Sequence, residues 1–306
     1  MLLIALVLRK NNLVLGLYPL SIPVNIRRGK FLALLETTII ALIFRLSLGV
    51  AYVFDLPIEQ AILSGKKVED FSQLLERQFL SSCKFILVFN EAMRNVLMAR
   101  YRLNVSKFLT FKMLDYYLSY SPVRELENTA RIEIAYMAGA LNTPDTKAVV
   151  IELPEYQSLT YHFYGKEGEW LRGFREDIVY HGYLEGNELF KNLSGRKFGL
   201  IYYPASNPAY YSFGSTSRFS AYVVAGLPLL VHIKAKYSAE LTREFSLGII
   251  FSEPKQIPWL VITSENSKEY EAFKNNVKNL SDKIRNGYFF KKAMLTILRN
   301  ARTEDD

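Results

Sequence analysis

YPASNPAYYSFGSTSRFSAYVVAGLPLLV, residues 203–231, is the stretch on which the reading of this chain turns. It begins at the end of an apolar run, Phe198–Tyr203 (FGLIYY), which predicts a strand stopped by Pro204. A small, hydroxyl-rich loop, Gly214-Ser215-Thr216-Ser217, stands directly before a predicted helix over Arg218–Ala225. Gly226-Leu227-Pro228 ends that helix, and Leu229–Ile233 predicts the next strand. Strand, loop, helix and strand make the unit of a parallel sheet, whose ligands bind where strands give way to helices. Unpaired N–H groups and the dipole at a helix start suit a diphosphate. Arg218 puts a fixed cation in the first turn, which is unfavourable there unless an anion is near. The same residues equally fit an ordinary Ser/Thr cap followed by a solvated arginine.

Outward from this stretch the grammar repeats. On its N-terminal side lie predicted strands Ile132–Met137 (IEIAYM), Leu159–Tyr164 (LTYHFY, ended by Gly165) and Ile178–His181, with a short helix over Glu185–Leu193. Ala148–Ile151 fits either a helix or a strand. On its C-terminal side, Tyr270, Phe273, Val277, Leu280 and Ile284 fall at three- and four-residue spacing, a closing helix that stops at Asn286-Gly287. The first half predicts strands over Met1–Leu8, Leu13–Tyr18, Gly49–Phe54 and Lys84–Phe89, and helices over Phe31–Arg45, Val68–Leu80 and Glu91–Tyr101. Near-continuous apolar strands alternating with helices indicate an α/β protein with doubly wound parallel sheets. The polar, helix-breaking run Ser119–Asn128 divides the chain into domains 1–125 and 126–306.

Bulk properties narrow the function. The chain has 306 residues, half of them apolar, enough for two domains with separate cores. Cys83 is the single cysteine, so no internal disulfide is available, which is compatible with a reducing cytoplasm. Three histidines, His162, His181 and His232, argue against a multi-histidine metal centre. Charge is lopsided: 16 Lys and Arg against 9 Asp and Glu through Glu125, then 22 against 21. A basic first half attracts anionic partners, a membrane surface or a lipid-linked acceptor; no nucleic-acid motif accompanies it, and nucleic acid is not expected. Phe31–Phe54 is apolar but carries Glu36 and Arg45, so it predicts a buried helix and strand rather than a membrane span.

The segment Arg218–Val231, with Tyr222, Ala225-Gly226 and Pro228, resembles the K-x-x-E-Y-x-x-x-G-x-P-V-I segment of GT-B glycosyltransferases. Ahead of it, Tyr164-Gly165, then Tyr180–Leu184 with Asn187-Glu188-Leu189, then FGLIYYP resemble that group's succession of strand, glycine, turn-and-helix and strand. More narrowly, Phe54-Asp55, Asn90–Met93, Asp115-Tyr116, Ala138–Leu141 and Ile284–Ala293 resemble, in order, motifs of the group holding galactofuranosyltransferases and bacterial adhesin glucosyltransferases. The likeness covers about residues 50 to 295, and the ordered set is more specific than any one piece.

The resemblance implies a GT-B architecture of two Rossmann-like domains facing a central cleft, the N-terminal one shortened and the last helix crossing back to it. It implies transfer of a sugar from a nucleoside diphosphate, a UDP-sugar foremost, to a glycan, glycolipid or protein acceptor, without metal or other cofactor. On that reading Ser217 and Arg218 hold the diphosphate with help from Thr216, and Gly139 lets a loop approach the donor. Tyr164, Gly165 and Tyr183 border the base, and Tyr222 belongs to the same binding segment. Tyrosine is abundant here, twenty in all, so core or rim roles fit those rings as well. Asp55, at the end of a strand, is the candidate acid–base residue and Glu59 a weaker one; a turn-forming role before Leu56-Pro57 fits Asp55 too. Ala221, Ala140, Thr143 and Phe54 stand where that group usually carries polar residues. Those departures leave a second expectation, a non-catalytic binding or scaffold subunit of a glycosylation complex. A cytoplasmic protein, attached peripherally to an anionic membrane and associating with its own copies, completes the expectation.

Overall fold

The computed structural model describes residues 13–19, 29–118, 131–204, 209–214, 217–265 and 267–303. The chain forms two compact units: Met1–Met113 with Ser212–Gly214 and Phe289–Asp306, and Leu114–Tyr211 with Ser215–Tyr288. The expected division at residue 125 and the expected strand over Met1–Leu8 fall outside the described residues.

Among the described residues, the first unit has four parallel strands lying in chain order, β1 (Leu13–Tyr18), β2 (Leu48–Val53), β3 (Phe85–Val88) and β4 (Phe108–Thr110). Every residue of β3 is buried, as a strand covered on both faces requires. Helices α1 (Lys30–Arg45), α2 (Pro57–Leu63), α3 (Asp70–Ser82) and α4 (Glu91–Tyr101) connect the strands. Phe44 of α1 meets Phe79 of α3 edge-on, ring centroids 5.2 Å apart, which fixes those helices against each other. Asn90 caps α4 by accepting the Met93 N–H at 2.9 Å, the local reason that helix starts where it does. Glu76 is wholly buried and accepts hydrogen bonds from the hydroxyls of Tyr18 and Tyr101.

Among the described residues, the second unit has six parallel strands: β5 (Ile132–Ala140), β6 (Leu159–Lys166), β7 (Ile178–Tyr180), β8 (Phe198–Ile201), β9 (Leu229–His232) and β10 (Gly248–Phe251). Their spatial order is β10-β9-β8-β5-β6-β7, so the winding reverses between β5 and β8. Helices α5 (Pro144–Glu152), α6 (Gly186–Leu193), α7 (Ser217–Val224), α8 (Lys236–Phe245), α9 (Ile257–Ser264), α10 (Lys268–Arg285) and α11 (Tyr288–Thr303) follow. The stripe Tyr270, Phe273, Val277, Leu280 and Ile284 of α10 is buried, as its spacing requires. From Phe289 onward, α11 belongs to the first unit, where Phe290 meets Tyr52 edge-on at 5.6 Å.

Several elements differ from expectation. Ala148–Ile151 is helical, part of α5, because Thr143 caps it and Pro144 opens it. β5 and β6 run three and two residues past their expected ends, carrying Gly139 and Gly165 within the strands. The helix expected at Val68 begins at Asp70. Helices α2, α8, α9 and α11 and strand β10 were not anticipated. Among the described residues, no helix is long and apolar enough to cross a membrane.

Candidate functional site

At the reversal, the C-terminal ends of β5 and β8 point toward one end of the sheet, the place where doubly wound sheets open a crevice. A cavity of about 790 Å³ lies there, within the second unit. Its floor is Met137-Ala138-Gly139 at the end of β5 and Tyr164-Gly165 near the end of β6. One wall is the stretch Tyr183–Gly186 leading into α6. The other is Tyr203, Tyr211 and the first turn of α7 with Ser217, Arg218 and Ala221. Tyr116, Tyr117 and Leu118 complete the rim.

Two glycines shape the floor differently. A Cβ on Gly165 would come within 2.3 Å of the Ala138 carbonyl oxygen, so the two strand ends pack as closely as they do only because it has none. A Cβ on Gly139 would meet nothing within 4 Å and would stand in open space.

Arg218 is the cation of the site. Its guanidinium carbon lies 5.0 Å from the ring centroid of Tyr136 and 5.0 Å from that of Tyr203. Tyr203 is itself stacked on Tyr211, centroids 3.9 Å apart and planes 12° from parallel. With aromatic rings at its flanks, the guanidinium is held by cation–π attraction and its donors remain for hydrogen bonding. Nη1 is shielded from solvent and has no hydrogen-bond partner among the described residues. Leaving a buried donor unpaired costs about 1–3 kcal/mol, more when it is charged.

The remaining candidates distribute as follows. Gly139, Tyr164, Gly165, Tyr183, Ser217 and Arg218 all line this cavity. Ser217 is the first residue of α7, and its carbonyl accepts the Tyr116 hydroxyl at 3.4 Å. Lys166 Nζ sits 4.4 Å from the Tyr183 ring centroid. Thr216 lies outside the described residues. Tyr222 departs from expectation: it is fully buried and off the cavity wall, and its hydroxyl accepts the Met137 N–H at 2.8 Å. It supports the floor from beneath because α7 turns that face into the core. Ala221 lines the wall, so the only charged side chains lining the cavity, among the described residues, are Arg218 and Glu185.

Asp55 belongs to the first unit, two residues beyond β2. The Leu56 N–H donates to its Oδ1 at 2.8 Å. Burial raises its pKa above the usual carboxylate range against the opposing pull of that bond, a direction that favours a base working near neutrality. Glu59 is buried in an ion pair with Arg100, which ties it to a structural contact. Burial pushes the Cys83 thiol up to about 12. No cluster of three or more His, Cys, Asp or Glu suited to a metal occurs among the described residues.

Sequence reasoning missed Tyr136 and Tyr203, the rings that flank Arg218, and Tyr211, which stacks on Tyr203. A signal existed for Tyr203 alone, since FGLIYY ends in tyrosine just past a strand.

Comparison with known proteins agrees with this geometry. A family profile described as glucosyltransferase 3-like, C-terminal domain, matches residues 135–297, more than half of the chain. Glucosyltransferase 3 of Streptococcus gordonii is 28% identical over 123 residues, 39% of this chain and 36% of the relative. The match thus spans little more than a third of that protein's length. Among solved structures, the pneumococcal O-GlcNAc transferase GtfA in complex with UDP and GlcNAc aligns with a TM-score of 0.60 at 14% identity. That alignment covers 97% of this chain and 58% of GtfA. Anabaena HepE in complex with UDP aligns with a TM-score of 0.57 at 12% identity, covering 88% of this chain and 76% of HepE. At such identities the likeness is one of fold, and that fold is the α/β GT-B type.

Proposed function

The chain belongs to the glucosyltransferase 3-like family, and from that premise we propose that it transfers a sugar from a nucleoside-diphosphate donor, a UDP-sugar foremost, to a hydroxyl of a glycan, glycolipid or protein. The observation that carries the reading is Arg218 on the wall of a cavity at the sheet's switch point, flanked by aromatic rings, with an Nη1 that has no hydrogen-bond partner among the described residues. In the proposed complex the diphosphate lies against Arg218 and the hydroxyl of Ser217, at the positive end of α7. The leaving diphosphate gains charge as the glycosidic bond breaks, so a fixed cation there stabilises the transition state more than the ground state. This arrangement neutralises the leaving group with protein donors and assigns no role to metal. Tyr183, exposed at the cavity, offers ring surface to the base, whereas the Tyr164 ring is buried. Asp55 takes the acceptor proton in this proposal. UDP in the structures of GtfA and HepE supports the choice of nucleotide.

A second reading has its own observation: Ala221 gives the cavity wall no carboxylate beside Arg218. On it, the chain binds a donor or product as a non-catalytic subunit of a glycosylation complex.

Thermal-shift measurement with UDP-glucose, UDP-GlcNAc, GDP-mannose and ADP-glucose, followed by assay of UDP release, separates the two. A ligand at a hundred times its Kd stabilises the fold by about 2.7 kcal/mol, which a melting curve resolves. The enzymatic reading expects stabilisation by a UDP-sugar and release of UDP with a suitable acceptor, with release lost and binding kept in Asp55→Asn. Stabilisation without turnover in any acceptor fraction supports the binding subunit. Stabilisation by none of the four contradicts both.

A further inference from the structure

We infer that Asn90 is a positioning residue for the donor site: its amide holds the Ser212 carbonyl and so pins the short segment that leads from Tyr211 to the start of α7. The inference rests on the nucleotide reading above and adds to it what keeps the entry of α7 in place.

Both ends of the Asn90 amide are engaged. Oδ1 accepts the Met93 N–H at 2.9 Å, the cap of α4, and Nδ2 donates to the Ser212 carbonyl at 2.7 Å. The cap fixes the orientation of the amide, since an oxygen facing the Met93 N–H leaves the NH2 to face Ser212. Beyond Ser212 the segment is packed as well as bonded. Phe213 is buried, and a Cβ on Gly214 would come within 2.7 Å of Phe89 Cδ2, so glycine lets the backbone lie on that ring. Phe89 is itself buried against Phe111, ring centroids 4.5 Å apart. Ser212–Gly214 therefore belongs to the first unit, although the chain on either side of it belongs to the second.

That detour is short. Tyr211, the residue before Ser212, stacks on Tyr203 and lines the cavity. Ser217, three residues after Gly214, opens α7 and lines the cavity too. Three residues of extended chain span at most about 11 Å, so a segment fixed at Gly214 limits where Ser217 and Arg218 can lie. An entry held in place before the ligand arrives does not have to be ordered on binding. Capping explains only the oxygen of Asn90. Serine or aspartate caps a helix as well as asparagine does, and neither carries the NH2 that Ser212 uses.

The test uses Asn90→Asp, which keeps the capping oxygen and sets a second acceptor against the Ser212 carbonyl. Hydrogen exchange without ligand should speed up across 209–217, while α4 and the urea midpoint stay as in the wild type. Titrations of UDP and of inorganic pyrophosphate should both weaken by about three- to tenfold, the strength of one hydrogen bond that keeps the entry in its binding position. Gly214→Ala sets a methyl group against the Phe89 ring and loosens the same segment, so the double variant should be little worse than the stronger single one. Asn90→Ser also caps, and serves if the aspartate variant fails to fold. Unchanged exchange across 209–217, or an equal rise in α4, overturns the inference. Faster exchange there with unchanged affinity overturns it as well, and so do multiplying effects in the double variant. A wild type that binds neither ligand sinks the nucleotide reading, and the inference with it, whatever the exchange shows.

Discussion

Two parallel sheets with the same ingredients behave differently here. Among the described residues, the first unit lays β1 to β4 side by side in chain order, whereas the second reverses direction between β5 and β8. In a sheet wound one way, right-handed crossovers stack the connecting helices on one face; a reversal sends them to opposite faces and parts the loops at the strand ends. The cavity of the second unit stands at that parting. Buried polar clusters follow the same division. Glu76 with Tyr18 and Tyr101 joins a strand to two helices of the first unit, while Glu133 pairs with Arg196, which donates to the hydroxyl of the cavity-lining Tyr164. The lesson is that topology, more than composition, decides where a crevice opens.

The comparison can be broken from either side. Glu76→Ala strands two tyrosine hydroxyls in the first unit and should cost about 4 kcal/mol in urea unfolding. UDP affinity measured under folding conditions should stay unchanged; a loss of affinity would mean the clusters are not separate. Gly165→Ala should destabilise by about 3 kcal/mol, since its methyl group meets backbone rather than a movable side chain. Gly139→Ala sharpens that contrast, with stability held within about 0.5 kcal/mol in the same assay but UDP affinity reduced, because the methyl enters open cavity. Tyr222→Phe removes only the acceptor for Met137 N–H and should cost about 1 kcal/mol, with a minor change in binding.

Acid should separate the units by sign. The His181 pKa falls from 6.5 to about 4 on folding, so its contribution is complete above pH 6.5 and is lost as pH drops toward 4. Burial raises the Glu76 pKa above 4.5, so its contribution is greatest in acid and declines as pH rises through the folded value. Hydrogen exchange followed from pH 7 to pH 4 should therefore show protection falling in β6 relative to α3. Parallel changes in both would contradict these assignments.

Much of this was legible before any coordinates. Runs such as KFILVF and FGLIYY read directly as buried parallel strands, and a cation in the first turn of a helix pointed to the α7 entry. The elements that escaped were not all weakly patterned. α8 is amphipathic, but its buried face, Tyr237, Ser238, Ala239, Leu241 and Thr242, mixes hydroxyl-bearing with apolar groups. α9 is rich in β-branched residues, and β10 is four residues long. The site was legible in its glycines and Arg218 but not in its aromatic flanks. Tyr136 and Tyr203 come from strands that are neighbours only because the winding reverses, a fact no local window contains. Glu133 and His162 were opaque for a related reason: polar residues within strands usually face water, whereas these face each other.

The most direct test of the account is calorimetric titration of UDP into the wild type and Arg218→Ala. A charge-assisted hydrogen bond to the buried guanidinium predicts saturable binding by the wild type and a roughly 10- to 150-fold loss in the variant, with the fold intact. Equal affinity in the two proteins would contradict it.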